Sequence, residues 1–413
     1  EFYANIFAIV ESEIEEGVIW TGSDDGLIHV TRNGGKSWEN VTPPENISPK
    51  LNMINSIDIS PFKKGKVYIA ATSYKFGDYT PYLYKSEDYG KSWDLITNGI
   101  SKDYYTRVVR TDKKREGLLY AGTEWGMFIS FDDGASWNEF QLNLPITSIR
   151  DLKVKDNDLV VATHGRSFWM IDDLTPLHQL NNEIVNDEAI LFKPDVSYRL
   201  AQSGGWRKPN TLLVGENHPN GVIINYYLKN YDSNDFVKID ILKKDGTTIR
   251  SFTNDKNKLK IKTNKPVLSN ENDIDYALSA SNIKSINPHS GGNKLIWDMR
   301  YPGFVSFDGM VLYSSPNTGP KVVPGKYDVV LTYNDIEIKK EFEVIKDPRV
   351  NNTQEDYESQ LNFLLKVRDE VSNANQTIID IRKIKNDLEN IKNKVSGKKQ
   401  IIDLINEFKD KLE

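Results

Sequence analysis

The octapeptide SEDYGKSW, residues 86–93, decides how the first half of this chain is read. Nearly the same turn occurs twice more, as TRNGGKSW at 31–38 and SFDDGASW at 130–137. The common frame is a hydroxyl, an aspartate or asparagine, a glycine and a tryptophan. Thr31, Asn33, Gly35 and Trp38 fill it first, then Ser86, Asp88, Gly90 and Trp93, then Ser130, Asp132, Gly134 and Trp137. Each residue type has a local reason to be there. A short carboxylate or amide accepts bonds from the N–H groups of its own reversal, glycine takes a positive φ, and the hydroxyl adds a further bond. The tryptophan then anchors the turn by burying a large ring, expected between adjoining sheets.

Other landmarks keep step with the turn. The three tryptophans lie 55 and 44 residues apart (38 to 93, 93 to 137). A β-rich run precedes each turn: VIWTGS (18–23), VYIAAT (67–72) and LLYAGT (118–123), with a fourth copy, LVVAT (159–163), that has no turn after it. Further upstream stand IFAIVES, NSIDISP, TRVVRT and TSIRDLKV. Each unit therefore reads as four short antiparallel strands with Gly, Asn and Asp at the reversals, which is the period of a β-propeller blade.

After DDLTPL the rhythm changes. Shorter alternating strands, VIINYYL, VKIDIL, KLIWDMR, YDVVLTY and KKEFEVI, fall between turn signals and predict a β-sandwich. From Thr353 the pattern becomes helical, with TQED as the N-terminal cap. Apolar residues recur near a 3.5-residue period, at Tyr357, Leu361, Leu364 and Val371, then at Ile378, Ile381, Ile384, Leu388, Ile391 and Val395. The polar run SNANQ from Ser372 is a candidate hinge, and Gly397 a stop before the last helix. The expected fold is mainly β: about four blades of a propeller at 1–178, a linker at 179–187, a β-sandwich at 188–348 and a helical hairpin or coiled-coil-like tail at 353–413, with the tail folded back or free to dock a partner.

The three turns at blade spacing resemble the Asp-box (BNR) repeat of the propeller class that includes sialidases, xyloglucanases and the sortilin ectodomain. Asn33 departs from the aspartate of that pattern, although its amide oxygen accepts the same bonds. The order NGVIINYYLKN, ILKKDGTTIRSF, GGNKLIWDMRYPG, PGKYDVVLTYND, preceded by ATHGRSFWMIDDLTPL, resembles the immunoglobulin-like or fibronectin-III-like module and linker of a bacterial family labelled glycosyl hydrolase or sortilin-like. This resemblance covers residues 1 to about 350. It implies a secreted, periplasmic or cell-surface protein with a signal peptide upstream, and further propeller blades upstream that complete the ring.

Bulk composition excludes some functions. The 413 residues carry 27% charged side chains and a net charge of −6, which gives no electrostatic case for nucleic acid. No apolar run reaches the roughly 18 residues of a membrane span. There are no cysteines, and the five histidines are scattered without metal-ligand spacing, so neither a metal nor a cofactor is expected. No GxSxG, HExxH or phosphate loop is present.

Strand alternation puts the repeated turns on one face of the propeller and the loops between second and third strands on the other. The second face collects the candidate ligand-facing residues Asp24, Asp25, Asp78, Tyr79, Glu124, Trp125, His164 and Arg166, with Tyr74, Tyr104, Tyr105 and Arg107 nearby. Aromatic faces stack on sugar rings and carboxylates bind hydroxyls, so this is a candidate glycan surface. A catalytic pair would need two carboxylates about 5 to 10 Å apart across a groove. Adjacent Asp24 and Asp25 fit a hairpin turn better than such a pair, which leaves Asp78 or Glu124 to supply the second acid. On this face Glu124→Ala is expected to leave folding intact. Sialidases carry an arginine cluster with a tyrosine and glutamate nucleophile pair, and nothing here maps onto it, which argues against sialidase activity. Two functions stay open: a glycan-binding, hydrolase-like propeller, or a non-catalytic sortilin-like propeller or cell-surface scaffold gripping an extracellular protein or peptide.

Overall fold

A computed structural model describes residues 4–181, 184–200, 219–255, 283–307, 309–312, 317–395 and 397–412. The sequence places His218 in a loop of the sandwich, where solvent exposure is expected, and this residue lies outside the described residues. The chain divides into two compact units, Glu1–Gln179 and Leu180–Glu413.

The first unit is a row of four up-and-down sheets. Three have four strands: β1 (Ile6–Glu11), β2 (Ile19–Ser23), β3 (Ile28–Thr31) and β4 (Glu39–Asn40); β5 (Met53–Ile59), β6 (Val67–Thr72), β7 (Tyr82–Ser86) and β8 (Asp94–Leu95); β9 (Thr106–Thr111), β10 (Leu119–Thr123), β11 (Gly126–Ser130) and β12 (Asn138–Glu139). The last has three, β13 (Ile149–Lys155), β14 (Asp158–Thr163) and β15 (Phe168–Ile171), and a short helix α1 (Thr175–Gln179) ends the unit.

Strand periodicity explains how the sheets stack. On β6, Ile69 and Ala71 face a core shared with the first sheet, while Tyr68 and Ala70 face a core shared with the third. A middle strand buried on both faces must be apolar throughout, which is why VYIAAT shows no alternation. A further core joins the third sheet to the fourth through Val108, Tyr120, Leu152 and Val161. The first strands β1, β5, β9 and β13 lie side by side in sequence order. Sheets stacked face to face with their first strands innermost are propeller blades.

The repeated turn closes each four-stranded blade by the same bonds. Ser86 Oγ donates to Asp88 Oδ1 at 3.0 Å and accepts from Gly90 N at 2.8 Å, while Asp88 Oδ1 accepts from Ser92 N at 2.9 Å. In the first copy Asn33 Oδ1 accepts from Thr31 Oγ1 at 2.9 Å and from Ser37 N at 3.0 Å, so the amide does the carboxylate's work. A second anchor has a sequence signal that the turn alone does not include. Gly17, Gly65 and Gly117, each just ahead of the second strand, accept at 3.0, 3.0 and 2.9 Å from the N–H groups of Gly34, Tyr89 and Asp133.

The tryptophans differ from expectation in one copy. Trp93 and Trp137 are buried between sheets, and their Nε1 groups donate at 2.8 Å to Val41 O and Ile96 O of the preceding blade. Trp38 is 43% exposed, because no sheet of the described chain precedes the first.

The second unit contains a three-stranded and a six-stranded sheet. The smaller joins β16 (Ala189–Leu191), β18 (Val222–Leu228) and β22 (Gly291–Trp297). The larger runs β17 (Ser197–Arg199), β24 (Ile336–Lys346), β23 (Gly325–Tyr333), β19 (Val237–Lys243), β20 (Thr248–Thr253) and β21 (Ile283–Ser285). One core serves both sheets, with Ile224 and Trp297 from the smaller and Ile239, Val329 and Phe342 from the larger. Trp297 meets Tyr327 and Phe342 edge-on at 6.1 Å.

Helix α2 (Gln354–Lys394) begins with a capping box in which Thr353 and Asp356 exchange side-chain and backbone bonds. It runs unbroken through SNANQ, against the expectation of a hinge there. The polar side chains have partners that keep the helix intact: Ser372 Oγ donates to Arg368 O at 2.7 Å and accepts from Val305 N at 3.1 Å, and buried Asn375 donates to Val305 O at 2.6 Å. The chain reverses instead at Gly397, whose φ is 95°, before α3 (Lys399–Asp410). Lys409 then pairs with Glu389 at 2.7 Å. No helix among the described residues is long and apolar enough to cross a membrane.

Candidate functional site

The candidate face lies at the start of each innermost strand, and a β-bulge shapes it in every blade. Register shifts leave one extra residue in β1, β5, β9 and β13: Phe7, Asn55, Arg107 and Arg150. A bulge bends the strand and re-aims its extra side chain. None of the four could be identified as bulged from sequence, because pairing across strands is not a local property.

Arg107 is the centre of a connected group on this face. The 3-10 turn Tyr74–Phe76, stopped by Gly77 at φ 79°, brings Tyr74 against Tyr105 with ring centroids 5.2 Å apart and planes 16° from parallel. The Arg107 guanidinium carbon lies 4.6 Å from the Tyr74 centroid and 4.8 Å from that of Tyr105, in cation-π range. Tyr79 leans on Tyr105 at 5.8 Å and remains half exposed. Arg107 Nε and Nη2 donate to Glu124 Oε2 at 3.0 and 2.8 Å, and Ser148 Oγ donates to the same oxygen at 2.8 Å. Burial pushes the Glu124 carboxyl up, but the bonds from Arg107 and Ser148 outweigh it and hold the group below its ordinary range.

The string continues into the last blade. His164 N donates to Ser148 O at 2.9 Å, and Arg150 Nε lies 3.0 Å from His164 Nδ1. Arg166 sits in the same turn, where its backbone N–H donates to Thr163 Oγ1 at 3.1 Å and its carbonyl accepts from Trp169 Nε1 at 2.8 Å. Trp125, next to Glu124, is 50% exposed. Tyr79, Glu124 and His164 thus belong to one connected set, with Trp125 and Arg166 beside it.

The remaining acids are occupied elsewhere. Asp24 accepts from Asn5 N at 2.9 Å and Asn5 Nδ2 at 3.2 Å, bonds that lower its pKa and tie down the start of β1. Asp25 accepts from Ser23 Oγ and, at 3.4 Å, from Leu27 N, the work of a hairpin turn. Asp78 accepts from Tyr82 Oη at 2.6 Å and Thr80 N at 3.0 Å. Burial raises its pKa, but those bonds prevail and lower it overall. A glycosidase acid must keep its proton near neutral pH, which requires a raised pKa. Asp24, Asp78 and Glu124 are all shifted the other way. Among the described residues no group of histidines and carboxylates could hold a metal ion.

No protein-family profile and no curated protein matches the sequence. Solved structures similar to this chain include YCF48 bound to D1 peptide, at TM-score 0.30 and 20% identity over 39% of this chain and 48% of that one. A GH74 enzyme of Niastella koreensis gives TM-score 0.34 and 14% identity over 54% and 35%. The computationally designed Ika4 protein gives 0.29 and 12% over 41% and 92%. The chain spans about half or less of the length of the first two. The propeller assignment stands on the sheets themselves.

Proposed function

We propose that the face around Arg107 binds a glycan without cleaving it, in a protein of the Asp-box, glycosyl-hydrolase-like kind that works outside the cytoplasm, with the sandwich as an immunoglobulin-like spacer. The observation that carries this is the state of Glu124. It is the acid within the connected string, and Arg107 and Ser148 already occupy its Oε2. Aromatic surface stands exposed on Tyr79, linked to it through Tyr105 and Arg107, and on Trp125, its neighbour in sequence. Stacking platforms flanking a spent carboxylate suit recognition of sugar rings better than attack on the bond between them. Arg150 and Arg166 add positive charge at one end, so a uronate-bearing polysaccharide is the first ligand to try.

Calorimetric titration with neutral and uronate-containing oligosaccharides tests this, alongside a hydrolysis assay on the same substrates. Tyr79→Ala and Trp125→Ala should each weaken binding by about 1 kcal/mol, roughly fivefold, with thermal stability unchanged. Reducing sugar released by the wild type and abolished in Glu124→Gln would overturn the non-catalytic reading.

A further inference from the structure

The second unit gathers three half-buried cations, Arg199, Arg300 and Lys321. Arg300 and Lys321 form an isolated antiparallel bridge, so their side chains stand directly opposite each other. Like charges in that position destabilise the pair. Arg199, at the end of β17, brings the third charge to the same place: its Nε donates at 2.8 Å to the carbonyl of Val322, the residue after Lys321. Burial, together with the positive charges of Arg300 and Arg199, holds the Lys321 ammonium below the ordinary lysine range.

Their bonds go to neutral oxygens. Arg300 Nη1 donates to Gly319 O at 2.7 Å, Lys321 Nζ to Leu200 O at 3.0 Å, and Arg199 Nη2 to Gln360 Oε1 at 3.1 Å. The Arg199 guanidinium carbon lies 4.5 Å from the Tyr357 centroid, which positions the group without neutralising it. An arginine has five N–H donors and a lysine three, so each side chain keeps donors beyond these bonds. Among the described residues no ion pair reaches any of the three, whereas Lys244 and Lys339 pair with Asp328 at 2.7 and 3.0 Å and Arg349 with Asp347 at 2.7 Å. Asp298 eases the repulsion on Lys321 only from beyond bonding reach. Its Oδ1 takes the Arg300 backbone N–H at 3.2 Å, and its Oδ2 faces Lys284 at 3.9 Å.

We propose that Arg199, Arg300 and Lys321 bind a tetrahedral oxyanion, a phosphate or sulfate group. Three cations held by separate segments, β17, the stretch after β22 and the stretch before β23, can each take one oxygen of such a group. A planar carboxylate offers two oxygens and leaves the third cation unanswered. A doubly charged group also offsets the repulsion between Arg300 and Lys321, so the feature that costs the fold stability supplies the affinity. The site stands independently of the glycan reading of the face around Arg107.

Calorimetric titration of the full chain with inorganic phosphate, sulfate and acetate, at an ionic strength fixed with chloride, tests this. Phosphate or sulfate should saturate one site with a dissociation constant of about 1 mM, and acetate should bind about tenfold more weakly. Lys321→Gln and Arg300→Gln should each weaken oxyanion binding about tenfold. Arg300→Lys should recover part of that loss, and Arg349→Gln, which removes a cation already paired with Asp347, should change nothing. Tighter phosphate identifies a phosphoryl ligand, and tighter sulfate a sulfate ester. Heat that does not saturate, or binding that both Gln variants retain, would mean an adventitious ion only and overturn the proposal, as would acetate bound equally tightly. Stability separates a binding role from a structural one. In phosphate-free chloride buffer Lys321→Gln should melt no lower than wild type, because it removes the opposed charge and keeps a donor for Leu200 O. A midpoint lowered by several degrees would make Lys321 a structural tie and overturn the proposal as well.

Discussion

Trp93 and Trp38 occupy identical places in their octapeptides and have different fates. Trp93→Ala should cost roughly 3 to 5 kcal/mol by urea denaturation, since it empties a core shared by two blades and breaks the bond to Val41. Trp38→Ala should cost at most about 1 to 2 kcal/mol, since much of that ring already meets water. Glu124 departs from what its loop position suggests. Removing it leaves the Arg107 guanidinium, 9% exposed, without its anion, so Glu124→Ala should destabilise by about 1 to 3 kcal/mol rather than leave folding untouched. The pH dependence follows from the lowered pKa. The pair contributes fully above the unfolded glutamate value of about 4.3, and that contribution is lost as the pH falls through the lower folded value. Glu124→Gln should therefore lose less stability than wild type between pH 6 and pH 3 in thermal melts.

At the scale of elements, strands and helices were legible where their signal is periodic and local. The β-rich runs and the TQED cap fall on strands and on the start of α2. The bulges at Arg107 and Arg150 were not legible, because a bulge exists only relative to the strand it pairs with. SNANQ was misread for a similar reason. Ser and Asn lower helix propensity in isolation, but here Ser372 and Asn375 bond to the backbone of Val305, about 70 residues earlier in the chain. Asn375→Val should keep the helical circular dichroism while costing about 1 to 2 kcal/mol. Hydrogen exchange around Val305 should quicken, and unchanged exchange there would show that the contact does not hold the loop.

At the scale of the molecule, β15 of the last blade carries apolar side chains on both of its faces. Trp169 and Ile171 face the last core, while Phe168 and Met170 on the same strand are 79% and 55% exposed. Phe168→Ser should reduce binding of a hydrophobic dye without lowering the thermal midpoint, because the side chain supports no core. A matching loss of midpoint would mean that this face is already covered. The sequence by itself determined the repeated turn, the strands around it and hence the blades, because every bond that defines the turn closes within eight residues. Tertiary structure alone decided which tryptophan is buried, that Glu124 answers to Arg107 and Ser148, and that Asp24 holds Asn5. Those partners lie 17 to 24 residues away along the chain and meet only when strands pair, so no local pattern could announce them.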